Sequence, residues 1–237
     1  MAEPIERRPE GLEDSRAAQD YLKAIYKLQA RAGRATTLAI AAKLAVKPAS
    51  VTAMMKRLAD DPAGAFVTHK PYRGVELTPR GEAVALEMLR HHRLLELFLT
   101  RDLGMPWDEV HSEADRLEHV ISERLEELIA AKLGEPLHDP HGSPIPGRDL
   151  SIDVPDDVPL SSMAPGEEGI VSRVPDGDPA LLQYLRQLSL IPGARIAVES
   201  VAPFGHVVTI RVGRGTRAVG GEVAQQVRVN PATEVRV

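Results

Sequence analysis

The sequence predicts a mainly α protein with a small β component, built in three parts. These are an N-terminal winged helix-turn-helix (1–78), a helical dimerisation domain (79–147) and, after a linker (148–165), a C-terminal SH3-like β-barrel (166–237). Three observations carry this. Short apolar-periodic helices precede a strand–turn–strand, two long mixed helices follow, and beyond a Pro- and Gly-rich break the hydrophobic period switches from helical to alternating.

Asp20 to Ala32 sets Leu22, Ile25, Tyr26 and Leu28 at helical spacing, and Gly33 ends that helix. Thr36 and Thr37 offer capping hydroxyls to a second helix, Leu38–Leu44. After Ala45–Pro48 a third helix covers Ala49–Ala59, with Pro48 where a first turn tolerates it. Its apolar side is Val51, Met54, Met55 and Leu58, and Ser50, Thr52, Ala53, Lys56 and Arg57 form the outward edge. Two helices joined so closely make a helix-turn-helix, whose second helix can enter a DNA major groove. Phe66–Lys70 and Val75–Thr78 then read as strands around Pro71-Tyr72-Arg73-Gly74, a hairpin with a basic tip.

From Thr78 a long helix runs to about Asp102, and Pro106-Trp107 opens another to about Leu133. Their apolar stripes are broader than two helices can hide, which predicts a dimerisation layer. Pro136 to Pro165 is rich in Pro, Gly, Asp and Ser and reads as connecting chain. Beyond it Gly169–Val174, Arg195–Val201, Val207–Gly213 and Val227–Val229 are short strand patterns, interrupted by a helix over about Asp178–Leu190.

Composition narrows the chemistry. The absence of cysteine removes disulfides, thiolate nucleophiles, iron–sulfur clusters and cysteine zinc sites, so a metal here takes nitrogen and oxygen ligands. No apolar run reaches the roughly 20 residues of a membrane span, and no signal-peptide core stands near Met1, so a cytoplasmic protein without a membrane partner is expected. Residues 1–80 carry 14 Lys/Arg against 9 Asp/Glu, while 81–150 carry 7 against 15. A basic block that meets a polyanion beside an acidic block that meets cations fits this asymmetry.

Four of the eight histidines fall between residues 91 and 119. At about 100° per residue, His111, Asp115, Glu118 and His119 share an arc about 100° wide on the second long helix. His92 and Glu96, four apart, share a face of the preceding helix. Imidazoles and carboxylates spaced three or four apart on adjacent helices are how helical proteins build metal sites. Glu113, Glu123, Glu126 and Glu127 read as solvated acids on the same helix. No His-Glu-x-x-His, nucleophile-elbow or phosphate-loop motif is present. Two other classes stay open on these residues: a metal-dependent hydrolase with an appended DNA-binding domain, and a metal-independent winged-helix regulator.

The segments Asp20-Tyr21-Leu22-Lys23-Ala24-Ile25-Tyr26, the helix-turn-helix, His91-His92-Arg93-Leu94 with Glu96, and His111-x-x-x-Asp115-x-x-Glu118-His119 resemble one family. It is the metal-dependent transcriptional repressors of the diphtheria toxin repressor and manganese transport regulator type, in their long three-domain form. Ile145-Pro146-Gly147 and the SH3-like tail extend the resemblance over about residues 16–237.

The resemblance implies a homodimeric, non-enzymatic repressor of metal-homeostasis genes that grips operator DNA when metallated, with two metals per subunit. One site would take Asp20, Asp115, Glu118 and His119. The companion site would take His92, Glu96 and His111, with an acid from the third domain, Asp178, or Asp176 in its place. Leu181 stands where the family's long members bring a Gln. The family's iron-responsive branch has Met and Cys at the positions of Asp20 and Asp115, and two hard oxygen donors there favour Mn²⁺ or Fe²⁺. Lys23 replaces a glutamate of the short manganese-responsive form, so that form's carboxylate-bridged pair is not implied here. For DNA, the resemblance assigns Ser50 and Thr52 to the reading edge and Thr37 and Arg57 to phosphates; charge adds Lys47 and Lys56. Short hydroxyl side chains cannot make the bidentate base contacts of Arg or Asn, so DNA shape and thymine methyl groups would carry the sequence readout.

Overall fold

The computed structural model describes residues 11–70 and 74–232. The chain divides into two units, Met1–Arg90 with Arg148–Leu150, and His91–Gly147 with Ser151–Val237. Of the hairpin tip read above as basic, Pro71-Tyr72-Arg73 lies outside the described residues.

In the first unit α1 (Arg16–Ala32), α2 (Thr37–Leu44) and α3 (Pro48–Ala59) are followed by the hairpin β1 (Val67–Lys70) and β2 (Gly74–Leu77), and then α4 (Pro79–Arg101) begins. Gly33 closes α1 in the left-handed conformation, and the Thr36 hydroxyl accepts from the Ala39 amide to cap α2. Ala45, also left-handed, ends α2, and α3 departs at 109° to it, within the range of helix-turn-helix pairs. Leu22, Ile25, Ile40, Val51, Leu58 and Phe66 are fully buried together. Burial of each stabilises by roughly 1.5–3 kcal/mol, so the fold of the three helices rests on this cluster. The hairpin is tied in at Gly74, φ +89°, where a Cβ would lie 2.2 Å from the Ala35 carbonyl oxygen. Ser50, Thr52, Lys56 and Arg57 all stay exposed on α3.

The second unit starts within α4 and continues through α5 (Val110–Leu117) and α6 (Glu123–Leu133). The single helix expected over 106–133 is therefore two. Ser122 takes an extended backbone, and its hydroxyl accepts from the Leu125 amide, so the chain starts a new helix instead of continuing the old one. Glu118 keeps helical dihedrals at the end of α5, which preserves its side with His111 and Asp115. Leu94, Leu95, Ala114, Ile129, Ala130, Leu133 and Ile145 form the core of this layer.

The same unit carries β3 (Val158–Pro159), β4 (Glu168–Arg173), α7 (Pro179–Gln187), β5 (Arg195–Val201), β6 (Val208–Val212), β7 (Gly215–Val219), the short α8 (Gly221–Ala224) and β8 (Arg228–Pro231). Its six strands lie in the order β3-β8-β4-β5-β6-β7, each pair antiparallel. The linker expected over 148–165 is shorter than that, because β3 pairs with β8 and Leu160 enters the sheet core. Asp157, itself buried, anchors this edge: its Oδ2 accepts from Arg173 Nε at 2.7 Å and its Oδ1 from Arg228 Nε at 2.8 Å. Among the described residues no single helix is long and apolar enough to cross a membrane.

Candidate metal centre

Helical spacing does the first part of the assembly. On α4, His92 and Glu96 stand one turn apart and both are fully buried. On α5, His111 and Asp115 repeat that spacing, and Glu118 at its end is buried as well. Where the two helices meet, His92 Nε2 lies 3.0 Å from Glu96 Oε1, and His111 Nδ1 lies 3.0 Å from each of those two atoms. The rings of His92 and His111 meet edge to face with centroids 4.7 Å apart. Asp176, from the turn between β4 and α7, brings a carboxylate oxygen within 4.8 Å of the same three donors.

A second group shares His92. Its Nδ1–H donates to Glu118 Oε2 at 2.6 Å, with Asp115 Oδ1 at 3.3 Å. Glu118 Oε1 in turn lies 3.3 Å from His119 Nε2. With Nδ1 of His92 engaged by Glu118, the Nε2 edge of the ring is the one turned toward Glu96 and His111. A carboxylate holding the far N–H of an imidazole is the arrangement that fixes a metal-ligating histidine. His111 Nδ1, His92 Nε2 and Glu96 Oε1 converge on one another at 3.0 Å, and too few protons are available to pair all three. This donor set, two imidazoles and one or two carboxylates, fits a first-row divalent cation.

Electrostatics reinforce the point. Burial would raise the Glu96 carboxyl, but the imidazoles of His92, His111 and His141 hold it well below the ordinary carboxylate range. Glu96 is a carboxylate in a dry environment, kept charged by its cationic or donating neighbours. His141 responds in kind: burial works to lower it, yet Glu96 and Asp139 carry it up to about 9.

Two expectations change. Asp178 is exposed and caps α7, its Oδ1 accepting from the amides of Ala180 and Leu181. A carboxylate held by the first-turn amides of a helix is committed there, and the acid that reaches the His92 cluster is Asp176. Glu126 is not solvated but buried, its Oε2 2.9 Å from His91 Nε2, while His91 Nδ1–H donates to the Glu118 carbonyl at 3.1 Å. Burial would lower His91, and the Glu126 contact raises it instead. Glu113, Glu123 and Glu127 stay at the surface, Glu113 beside Arg116 and Glu127 beside Arg124.

Sequence reasoning passed over Trp107, Asp139 and His141. His141 is fully buried beside Glu96, and it stood inside a Pro- and Gly-rich stretch that read as connecting chain. The usable signal was an Asp and a His two apart in a segment otherwise made of turn residues. Asp20 is half-buried on α1, in the first unit, and Thr37 is half-buried at the start of α2. Lys47, just before α3, and Ser50, Thr52, Lys56 and Arg57 along it are all exposed.

Comparison with known proteins matches all three parts of the chain. The family model described as the iron dependent repressor N-terminal DNA binding domain matches residues 15–75, and the one described as the iron dependent repressor metal binding and dimerisation domain matches 78–147. The FeoA domain model matches 158–231. The chain is 31% identical over 226 residues to the iron-dependent repressor IdeR of Mycobacterium leprae, covering 88% of this chain and 94% of that one. A solved manganese-dependent transcriptional repressor in complex with manganese aligns at 36% identity and TM-score 0.83, over 90% of this chain and 98% of that one. ScaR with bound Zn²⁺ aligns at 31% identity and TM-score 0.78, over 90% and 98%. Matched from its first helix to its last strand, the protein belongs to the iron-dependent repressor family of DNA-binding transcriptional repressors.

Proposed function

We propose that this protein is a Mn²⁺- or Fe²⁺-dependent repressor that binds operator DNA as a homodimer, with two cation sites per subunit. The observation that carries the reading is the meeting of His92, Glu96 and His111 at 3.0 Å, with Asp176 beside them. These four residues hold one cation. Asp115, Glu118 and His119 hold the other. The donors are oxygen and nitrogen throughout, which suits Mn²⁺ and Fe²⁺ ahead of softer ions.

A bound divalent cation supplies charge neutralisation among the carboxylates and a fixed link between their elements. The chain's own residues do the rest. Without a cation Asp115 and Glu118 repel one another, and the winged helices of the dimer sample spacings that do not match DNA. In the operator-competent dimer the two α3 helices stand about 34 Å apart, one helical turn of duplex. The switch is then a population shift, limited by how much better the metal binds the competent state. Leu125 and Leu128 on α6 and Leu137 after it are large apolar side chains left exposed, and they suit a subunit interface in the helical layer. Ser50 and Thr52 face the bases, while Thr37, Lys47, Lys56 and Arg57 take phosphates.

What favours a repressor over a hydrolase is that the family models matched are those of a repressor's DNA-binding and metal-binding domains. The test is DNA binding by the chelator-stripped full chain with and without added Mn²⁺ or anaerobic Fe²⁺. Metal-stimulated binding supports the repressor. Equal binding in both conditions leaves a metal-independent winged-helix regulator.

A further inference from the structure

We propose that His91, Glu126 and Glu123 form a further divalent-cation site between α4 and α6, distinct from the groups at His92 and at Glu118. It takes no side chain from either group, so it goes beyond the proposed repressor function and does not depend on it.

His91 precedes His92 on α4, about 100° round the helix, and its ring meets α6 where that of His92 meets α5. The residue is only 3% exposed. Its Nδ1 lies 3.1 Å from the Glu118 carbonyl oxygen, and because a carbonyl can only accept, Nδ1 carries a proton. Nε2 is then the atom that faces Glu126 Oε2 at 2.9 Å and Glu123 Oε1 at 3.5 Å. The contact to Glu126 is close but not aligned as a hydrogen bond, and among the described residues Nε2 has no hydrogen-bond partner. A lone pair on Nε2 would be repelled by two carboxylates, and a second proton there would lack an acceptor on its axis. A cation between the three atoms satisfies all of them. An imidazole that gives its far N–H to a main-chain carbonyl is already held in the tautomer a metal ligand needs.

The carboxylates come from one side of α6. Glu123 and Glu126, three apart, both stand in the first turn that the Ser122 cap begins, where the positive end of the helix favours their ionised form. The Glu126 side chain is buried, whereas that of Glu123 is 71% exposed, so the group opens to solvent at Glu123 and an ion has a way in. One imidazole nitrogen and two carboxylate oxygens, with water completing the shell, make a donor set for Zn²⁺. The ion clips the first turn of α6 to α4.

The test counts ions. Zn²⁺ is added to the chelator-stripped full chain, and competition with a chromophoric chelator reads the number of ions held per subunit. Glu123→Gln alters an exposed side chain and leaves the core untouched, so it carries the test even if His91→Phe does not fold. Each variant is expected to hold one ion per subunit fewer than wild type, with the remaining ions bound as before. Histidine side-chain ¹⁵N spectra report the site itself. The His91 resonances, identified by their absence from His91→Phe, are expected to shift at Nε2 when Zn²⁺ is added, with Nδ1 still protonated. An ion count in Glu123→Gln equal to that of wild type, or a His91 ring that stays doubly protonated in saturating Zn²⁺, overturns the proposal and leaves a buried His91–Glu126 ion pair. Glu96→Gln keeps the two readings separate: it is expected to retain this ion, and a loss in Glu123→Gln beside no loss in Glu96→Gln supports this site while removing Glu96 from the other.

Discussion

Glu96 Oε1 lies 3.0 Å from His92 Nε2, one helical turn away on α4, with both side chains fully out of solvent. An acid and an imidazole so placed would form a plain buried ion pair, except that His92 has already given its Nδ1–H to Glu118 and that His111 Nδ1 arrives at the same oxygen. The pair is half of a ligand set. Glu96→Gln preserves the shape and removes the charge. It is expected to lower Mn²⁺ affinity at this cluster by about a hundredfold, the upper end of what outer partners alone contribute, measured by calorimetry on the chelator-stripped chain.

Asp176 and Asp178 are two residues apart and do different work. Asp176→Ala is expected to weaken Mn²⁺ binding at the His92 cluster while leaving thermal stability nearly unchanged. Asp178→Ala removes the α7 cap and is expected to cost about 1 kcal/mol of stability with metal affinity intact. Swapped outcomes in the paired melts and titrations would return Asp178 to the ligand set.

The sheet edge makes a pH-dependent prediction. Burial would raise the Asp157 carboxyl, but hydrogen bonds from Arg173, Arg228 and Ser172 bring it below its ordinary value of 3.8. A depressed folded pKa contributes stability that is present above the unfolded value and is lost as pH falls through the folded one. Asp157→Asn is therefore expected to destabilise the metal-free protein at pH 7 by roughly 2 kcal/mol, less than a fully buried pair would cost, because both guanidinium side chains are about 30% exposed. The gap between the two melting curves should close below about pH 4; a gap that stays constant down to pH 3 would mean the loss is packing and not charge.

On α3, Lys56 and Arg57 are exposed beside Ser50 and Thr52. Lys56→Ala and Arg57→Ala are each expected to weaken operator binding across sequences and to reduce the slope of log affinity against log salt by about one, as loss of a phosphate contact does. Ser50→Ala and Thr52→Ala should leave that slope unchanged and alter sequence preference. Binding curves at four salt concentrations distinguish the two kinds of residue.

The elements that hydrophobic period and caps define were legible in the chain itself. Leu22, Ile25 and Leu58 announce their helices, and β5 runs over Arg195–Val201 as its alternation suggests. The break between α5 and α6 was not, because the apolar period continues across it and a single serine hydroxyl decides the restart. β7 was missed as well: Gly215-Thr216-Arg217-Ala218-Val219 contains little apolar alternation, and the strand exists because β6 offers it a partner. At the site, His92, Glu96 and His111 were readable because ligands one helical turn apart leave a spacing in the sequence. Asp176 and His141 come from turns, where no period records which side chain points inward. Only the folded chain shows that His141 is buried against Glu96 while Asp178 faces solvent.

The central claim is that cation binding and operator binding are linked in this chain. Fluorescence anisotropy with an operator selected from random DNA, titrating Mn²⁺ and anaerobic Fe²⁺ into stripped protein at fixed salt, tests it directly. The account predicts that wild type tightens with at least one of the two metals and that Asp20→Ala folds and dimerises yet loses the response. An affinity identical in chelator and in saturating metal, or an Asp20→Ala variant that responds like wild type, would contradict it.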